Sequence, residues 1–134
     1  MGKTDAIRDV IARYLSAYEN HDSAGCSAVY APDAIVLSPW GPPLHGPDAI
    51  AAAHIDWFEA GETNKTMKIR DLIVDGRTAI CLVTYAADVP AESGSPEKVF
   101  GASLNTLQCQ PDGSWKIRHT SLTELDDNTT SERI

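Results

Sequence analysis

Basic residues are scarce in this chain: eleven lysines and arginines stand against nineteen aspartates and glutamates, for a formal net charge of −8. A surface with that balance repels a phosphate backbone or an anionic bilayer, so nucleic acid and membrane are excluded as expected partners. Cysteine is scarcer still. Cys26, Cys81 and Cys109 lie far apart, form no CxxC pair and stand in apolar or mixed runs, which suits buried small side chains in a reducing compartment. No apolar run reaches membrane-spanning length, and Lys3, Asp5, Arg8 and Asp9 break any apolar leader near the N-terminus. A cytoplasmic protein is the expectation. P-loop, dinucleotide-binding and nucleophile-elbow patterns are also missing. There is no HExxH, and His45 and His54 are not spaced to share adjacent helical turns, so neither a metal nor a cofactor is expected.

The remaining sequence fits a single domain over residues 1–134 with enough apolar content for one core. Residues 126–134 are polar and acidic and read as a frayed, solvating tail. Ile7, Val10, Ile11, Tyr14, Leu15 and Tyr18 recur at helical spacing, which predicts an amphipathic helix over 4–20 with Thr4 as its N-cap. The polar triplet Asn20, His21 and Asp22 then breaks the chain before a short helix over 23–30. Residues 30–33 read as a turn, 34–38 as a short strand, 39–43 as a proline-rich loop unable to pair regularly, and 48–60 as a third helix.

From Lys65 the texture becomes β-compatible. Four strands are predicted over 67–74, 78–87, 99–110 and 114–123, with Asp75-Gly76 and Asp112-Gly113 supplying turn chemistry and 88–98 forming a longer loop. The fold class is therefore α+β: three N-terminal helices and a short strand packed on a strongly curved, four-stranded antiparallel sheet.

Four segments, RYLSAYENHD, YAPDAIVLSPWG, GPDAI and QPDGSWKI, resemble the nuclear transport factor 2-like superfamily, with its cystatin-like cone, and within it the SnoaL-like and ketosteroid-isomerase-like branch. The resemblance covers nearly the whole chain and implies the cone fold. It places Tyr14 where the isomerases carry an oxyanion-hole tyrosine, Asn105 at the position of its partner acid, and Ser38 where the general-base aspartate stands. A serine at neutral pH does not shuttle a proton alone, so ordinary ketosteroid isomerisation is not expected. Asp33, nearby, reads as a turn former.

Counting by two along the last strands, with the family's concave face as reference, points Ser103, Asn105, Leu107 and Cys109 inward, and likewise Trp115, Ile117, His119 and Ser121. His119, Tyr14 and Asn105 form the expected catalytic triangle, with His119 as acid or base. Tyr18, Ser38, Trp40, His54, Trp57 and Ser103 are the expected ligand-binding residues, aromatic walls with a few polar handles. The outer face, read as Leu104, Thr106, Gln108, Lys116, Arg118, Thr120 and Leu122, suits a second copy of the chain, hence a homodimer.

Two functions fit. One is a protein binding a small, partly apolar molecule, an isomerase, dehydratase or cyclase working by proton transfer. The other is a non-catalytic homodimeric association or ligand-binding module with a vestigial pocket.

Overall fold

The computed structural model describes residues 2–126; the predicted tail, apart from Asp126, lies outside them. The elements run α1 (Lys3–Glu19), α2 (Ser23–Ala28), β1 (Tyr30–Ser38), β2 (Gly41–His45), α3 (Gly46–Glu59), β3 (Thr63–Asp75), β4 (Thr78–Val89), β5 (Glu97–Cys109) and β6 (Trp115–Leu125). All six strands form one sheet in the order β2-β1-β6-β5-β4-β3. The four-stranded antiparallel sheet of the sequence analysis is thus corrected to six strands, with β1 and β6 parallel and every other pair antiparallel.

Two local signals misled the sequence reading. The Tyr-Ala-Pro-Asp turn is strand instead, because Tyr30 pairs with Ile117 and the backbone irregularity is absorbed between Tyr30 and Ile35. The proline-rich loop supplies β2, which pairs with β1 through Val36 and Leu44. β2 is an edge strand, where a proline without an N–H leaves no central ladder bond unmade. Thr4 is not the cap of α1; the helix starts one residue earlier, with Gly2 at the cap position and Ala6 N–H donating to its carbonyl. α2 has a side-chain cap, Asp22 accepting from Gly25 N–H at 2.9 Å.

α1 lies across β3 and β6, α3 against β1, and α2 fills the angle between them. The core combines the expected α1 stripe of Ile7, Val10, Ile11 and Tyr14 with Ile50 of α3 and the inward residues Cys81, Val83, Leu107 and Ile117. Turning Asp75 into Thr78 requires Gly76 at φ +61°, as the Asp-Gly pair predicts.

One irregularity matters more than the rest. The β5–β6 register shifts between Thr106, opposite His119, and Leu107, opposite Ile117, so β6 carries one extra residue there. Such a bulge exchanges the two faces beyond it. Trp115 and Ile117 point inward as predicted, but beyond the bulge Thr120 is the buried residue and His119 and Ser121 are exposed.

Candidate functional site

Between α1, the end of α3 and the concave side of β3–β6 lies a cavity of about 360 Å³. Its apolar wall includes Trp57, Val99, Phe100 and Leu122, and its polar groups are Tyr14, Tyr18, Glu62, Lys65, Tyr85 and Glu124. Four of the expected residues, Tyr14, Tyr18, Trp40 and Trp57, line it.

The densest chemistry sits where α3 hands over to β3. Tyr18 Oη donates to Glu62 Oε1 at 2.6 Å, and Lys65 Nζ donates to the same oxygen at 3.2 Å. Lys65 Nζ also stands over the rings of Tyr18 and Tyr85, 4.1 and 4.4 Å from their centroids. Burial pulls the Lys65 ammonium below its ordinary pKa, against the opposing pull of Glu62. Burial, helped by the hydrogen bond to Glu62, drives the Tyr18 phenol well above its own. The Tyr85 phenol is pushed up to about 12 by burial and by the charges of Glu62 and Glu124. Both bonds to Glu62 end on Oε1. Oε2 accepts no hydrogen bond among the described residues, and Glu62 is part of the wall of two adjoining cavities.

The sequence analysis missed Glu62, Lys65, Tyr85 and Glu124. A signal for Lys65 existed: it lies in phase with Met67 and Ile69, the inward residues of β3, but the predicted strand begins at Met67, four residues after the observed start at Thr63. Tyr85 continues the inward series Cys81, Val83. Opposite it stands Gly101, where an added Cβ would overlap the Tyr85 ring. A glycine inside a strand marks such a close approach.

Tyr14 forms a closed relay with His54 of α3. Its hydroxyl lies 2.8 Å from His54 Nε2, and His54 Nδ1 lies 2.7 Å from the Ile50 carbonyl. A carbonyl only accepts, so the ring proton is on Nδ1, Nε2 accepts, and Tyr14 donates to it. Burial lowers the His54 pKa to about 4 and raises that of Tyr14 well above its usual value, so both are neutral at physiological pH. With its proton committed to His54, the Tyr14 hydroxyl can act toward any further partner only as an acceptor.

Asn105 is equally occupied. Its amide nitrogen donates to Ser103 Oγ at 3.0 Å and to the Cys81 carbonyl at 3.2 Å, and its oxygen accepts from Thr120 at 2.7 Å. Tyr14, Ser103 and Asn105 meet around a gap of about 30 Å³, room for little more than a water molecule.

His119, expected to complete the triangle, stands exposed on the outer face because of the β6 bulge. There it bonds Thr106 Oγ1 at 2.7 Å and Arg118 Nη1 at 3.0 Å. Thr120 and Leu122, expected on the outer face, point inward for the same reason. Ser38 is outside the cavity lining, its Oγ accepting from Trp40 N–H at 3.3 Å. Trp40 stands at the mouth, donating from Nε1 to Glu124 Oε1 at 2.8 Å and meeting Trp57 edge to face. Asp33 pairs with Arg118 at 3.1 Å, and His21 stacks on Phe58. Among the described residues no three His, Cys, Asp or Glu side chains are grouped to hold a metal. All three cysteines are free.

A model of the SnoaL-like domain matches residues 11–123, which span α1 through β6. The chain belongs to the SnoaL-like family. No curated protein matches this SnoaL-like chain. Among solved structures it is similar to a ketosteroid isomerase-like protein from Erwinia carotovora atroseptica SCRI1043, with TM-score 0.82 and 18% identity over 92% of this chain and 96% of that one. It is also similar to an NTF2-like protein with a cystatin-like fold from Novosphingobium aromaticivorans, with TM-score 0.78 and 21% identity over 97% and 86%. A third structure is a candidate calcium/calmodulin dependent protein kinase II association domain from Xanthomonas campestris, with TM-score 0.73 and 14% identity over 95% and 91%. At these identities the likeness carries the cystatin-like α+β fold of the SnoaL-like chain.

Proposed function

We propose that this SnoaL-like domain binds a small, partly apolar carbonyl compound in its cavity and that Glu62 moves a proton next to that carbonyl. The observation that carries this reading is the Tyr18–Glu62–Lys65 cluster on the wall of an otherwise largely apolar space. A carboxylate with one oxygen held by two donors and the other open is oriented to accept a proton. Lys65 supplies the positive charge that an enolate oxygen requires, in a setting of low water content where that charge acts strongly. Glu62 thus takes the role that the Ser38 position lacks, from a different element. Tyr14 contributes an acceptor, and Trp40 and Trp57 contribute ring faces at the mouth. The 360 Å³ volume suits a molecule of modest size.

Enolisable ketones in heavy water provide the test. Saturable exchange of their α-protons, with quenching of tryptophan fluorescence on binding, is the expected result. A ketone panel that neither quenches nor exchanges at millimolar concentration would overturn the reading.

A second reading concerns the opposite sheet face, and we propose that it joins two copies of the chain. Two adjacent cross-strand rows stand there, Ile73–Ile80–Thr106–His119–Ile35 and Leu82–Leu104–Ser121–Leu37. Ile73, Ile80, Leu104 and Leu37 are each about half exposed. Apolar side chains so aligned on an antiparallel surface favour burial against a like surface. Leu104→Glu is expected to convert a dimer into a monomer in sedimentation equilibrium; a variant with the mass of the parent would remove this face from the interface. The net charge of −8 argues against a nucleic-acid partner, and no helix among the described residues is long and apolar enough to cross a membrane.

A further inference from the structure

Lys65 has a setting that an ordinary ion pair does not require. Among the residues lining the 360 Å³ cavity it carries the only positive charge, and its side chain is only 10% exposed. Tyr18 and Tyr85 flank the ammonium with ring faces, and its one hydrogen-bond partner among the described residues is Glu62. Gly101 is what lets the Tyr85 ring lie there, since a Cβ at that position would overlap it. The side chain is therefore largely shielded from water, forms part of the cavity wall and has a single hydrogen-bonded carboxylate with which to exchange protons.

From this geometry we infer that Lys65 captures the carbonyl carbon of the ligand as a covalent iminium, with Glu62 as its proton carrier. This rests on the proton-transfer reading of the same cavity and narrows its substrates to aldehydes and ketones with an accessible carbonyl.

The step balances without any oxidant or reductant. Glu62 takes one proton from the ammonium, leaving a neutral amine whose lone pair forms the new C–N bond while the carbonyl π electrons move to oxygen. A proton passes from nitrogen to that oxygen, giving the carbinolamine. Glu62 then returns its proton to the hydroxyl, the C–O bond breaks, and water leaves. One ammonium and one carbonyl have become one iminium and one water, and Glu62 is again a carboxylate beside an acidified α-carbon. Removal of an α-proton by Glu62 yields the neutral enamine. Burial, which pulls the Lys65 pKa down, favours the first of these transfers.

Reductive trapping tests the inference on the full chain. The protein is incubated at neutral pH with cinnamaldehyde or with phenylacetone in the presence of cyanoborohydride, and the modified lysine is located by peptide mass spectrometry. Modification at Lys65 is expected about tenfold faster than at Lys3, Lys68, Lys98 or Lys116. Lys65→Arg, which keeps the charge and forms no iminium, is expected to lose this fast phase and to slow α-proton exchange. Lys65 reacting no faster than those four lysines would overturn the inference, and so would exchange undiminished in Lys65→Arg, an outcome that leaves Glu62 as a simple base. Absence of both trapping and exchange in the parent protein would overturn the inference together with the proton-transfer reading beneath it.

Discussion

Glu62→Gln is expected to slow α-proton exchange by roughly 10²- to 10⁴-fold, the range general-base catalysis supplies, or about 3 to 5 kcal/mol of barrier. The substitution is nearly isosteric. Its amide oxygen still accepts from Tyr18, so the 2.6 Å contact that ties α1 to the start of β3 has a replacement. What disappears is a group able to take a proton at neutral pH. The negative charge beside Lys65 disappears as well, so the ammonium loses its only hydrogen-bonded counter-charge among the described residues. Ligand affinity, set mainly by the aromatic and aliphatic walls, is expected to change by less than about threefold. Exchange kinetics and fluorescence titration on the same ketone separate the two effects. An exchange rate within tenfold of the parent would assign the proton transfer to another group.

A second large effect concerns stability in mild acid. His54 is 1% exposed, and burial holds its pKa near 4 against an ordinary value of 6.5. Because the folded-state value is the lower one, the unfolded chain binds a proton first as pH falls. The stabilisation from keeping His54 neutral is full above pH 6.5, declines between 6.5 and about 4, and is gone below. That gap corresponds to about 3 kcal/mol. Asp88 and Asp112 are held below the usual carboxylate range by hydrogen bonds from Asn64 and Ser114, and their contributions fade only below about pH 3.8. Neither carboxylate therefore contributes within the His54 window. Denaturant unfolding of the parent and of His54→Gln, whose amide can accept from Tyr14 and donate to Ile50, is expected to show a markedly flatter dependence on pH in the variant between 6.5 and 4. Parallel curves would place the acid sensitivity elsewhere.

Tyr14 illustrates how far local reading reached. Its place on the apolar stripe of α1 follows from helical spacing, and the stripe is buried as predicted except for Leu15, which is half-buried. Its hydrogen-bond role does not follow, because His54 is forty residues away and the tautomer is set by the Ile50 carbonyl one turn earlier in α3. Asn105 and Ser103 were placed on the correct face by counting in twos along β5, a strand in register with β4 from end to end. Beyond Ile117 the same arithmetic failed on β6, because one extra residue exchanges inside and outside. Nothing in the run Ile117–Arg118–His119–Thr120 marks that residue, whose insertion answers to pairing with β1 on one side and β5 on the other.

Composition and periodicity by themselves determined the α+β class, the amphipathic α1, both hairpin turns of the second half and the unfavourable balance for polyanion binding, since each depends on residues close in the chain or on a simple sum of charge. Only the tertiary structure decided that the sheet has six strands, that the prolines after Trp40 lie on an edge, that His119 faces outward and that Tyr18, Glu62, Lys65 and Tyr85 meet. Those four side chains come from α1, the α3–β3 turn, β3 and β4. Their convergence is set by how strands register and helices cross, which depends on contacts between distant segments and leaves little trace in any local pattern.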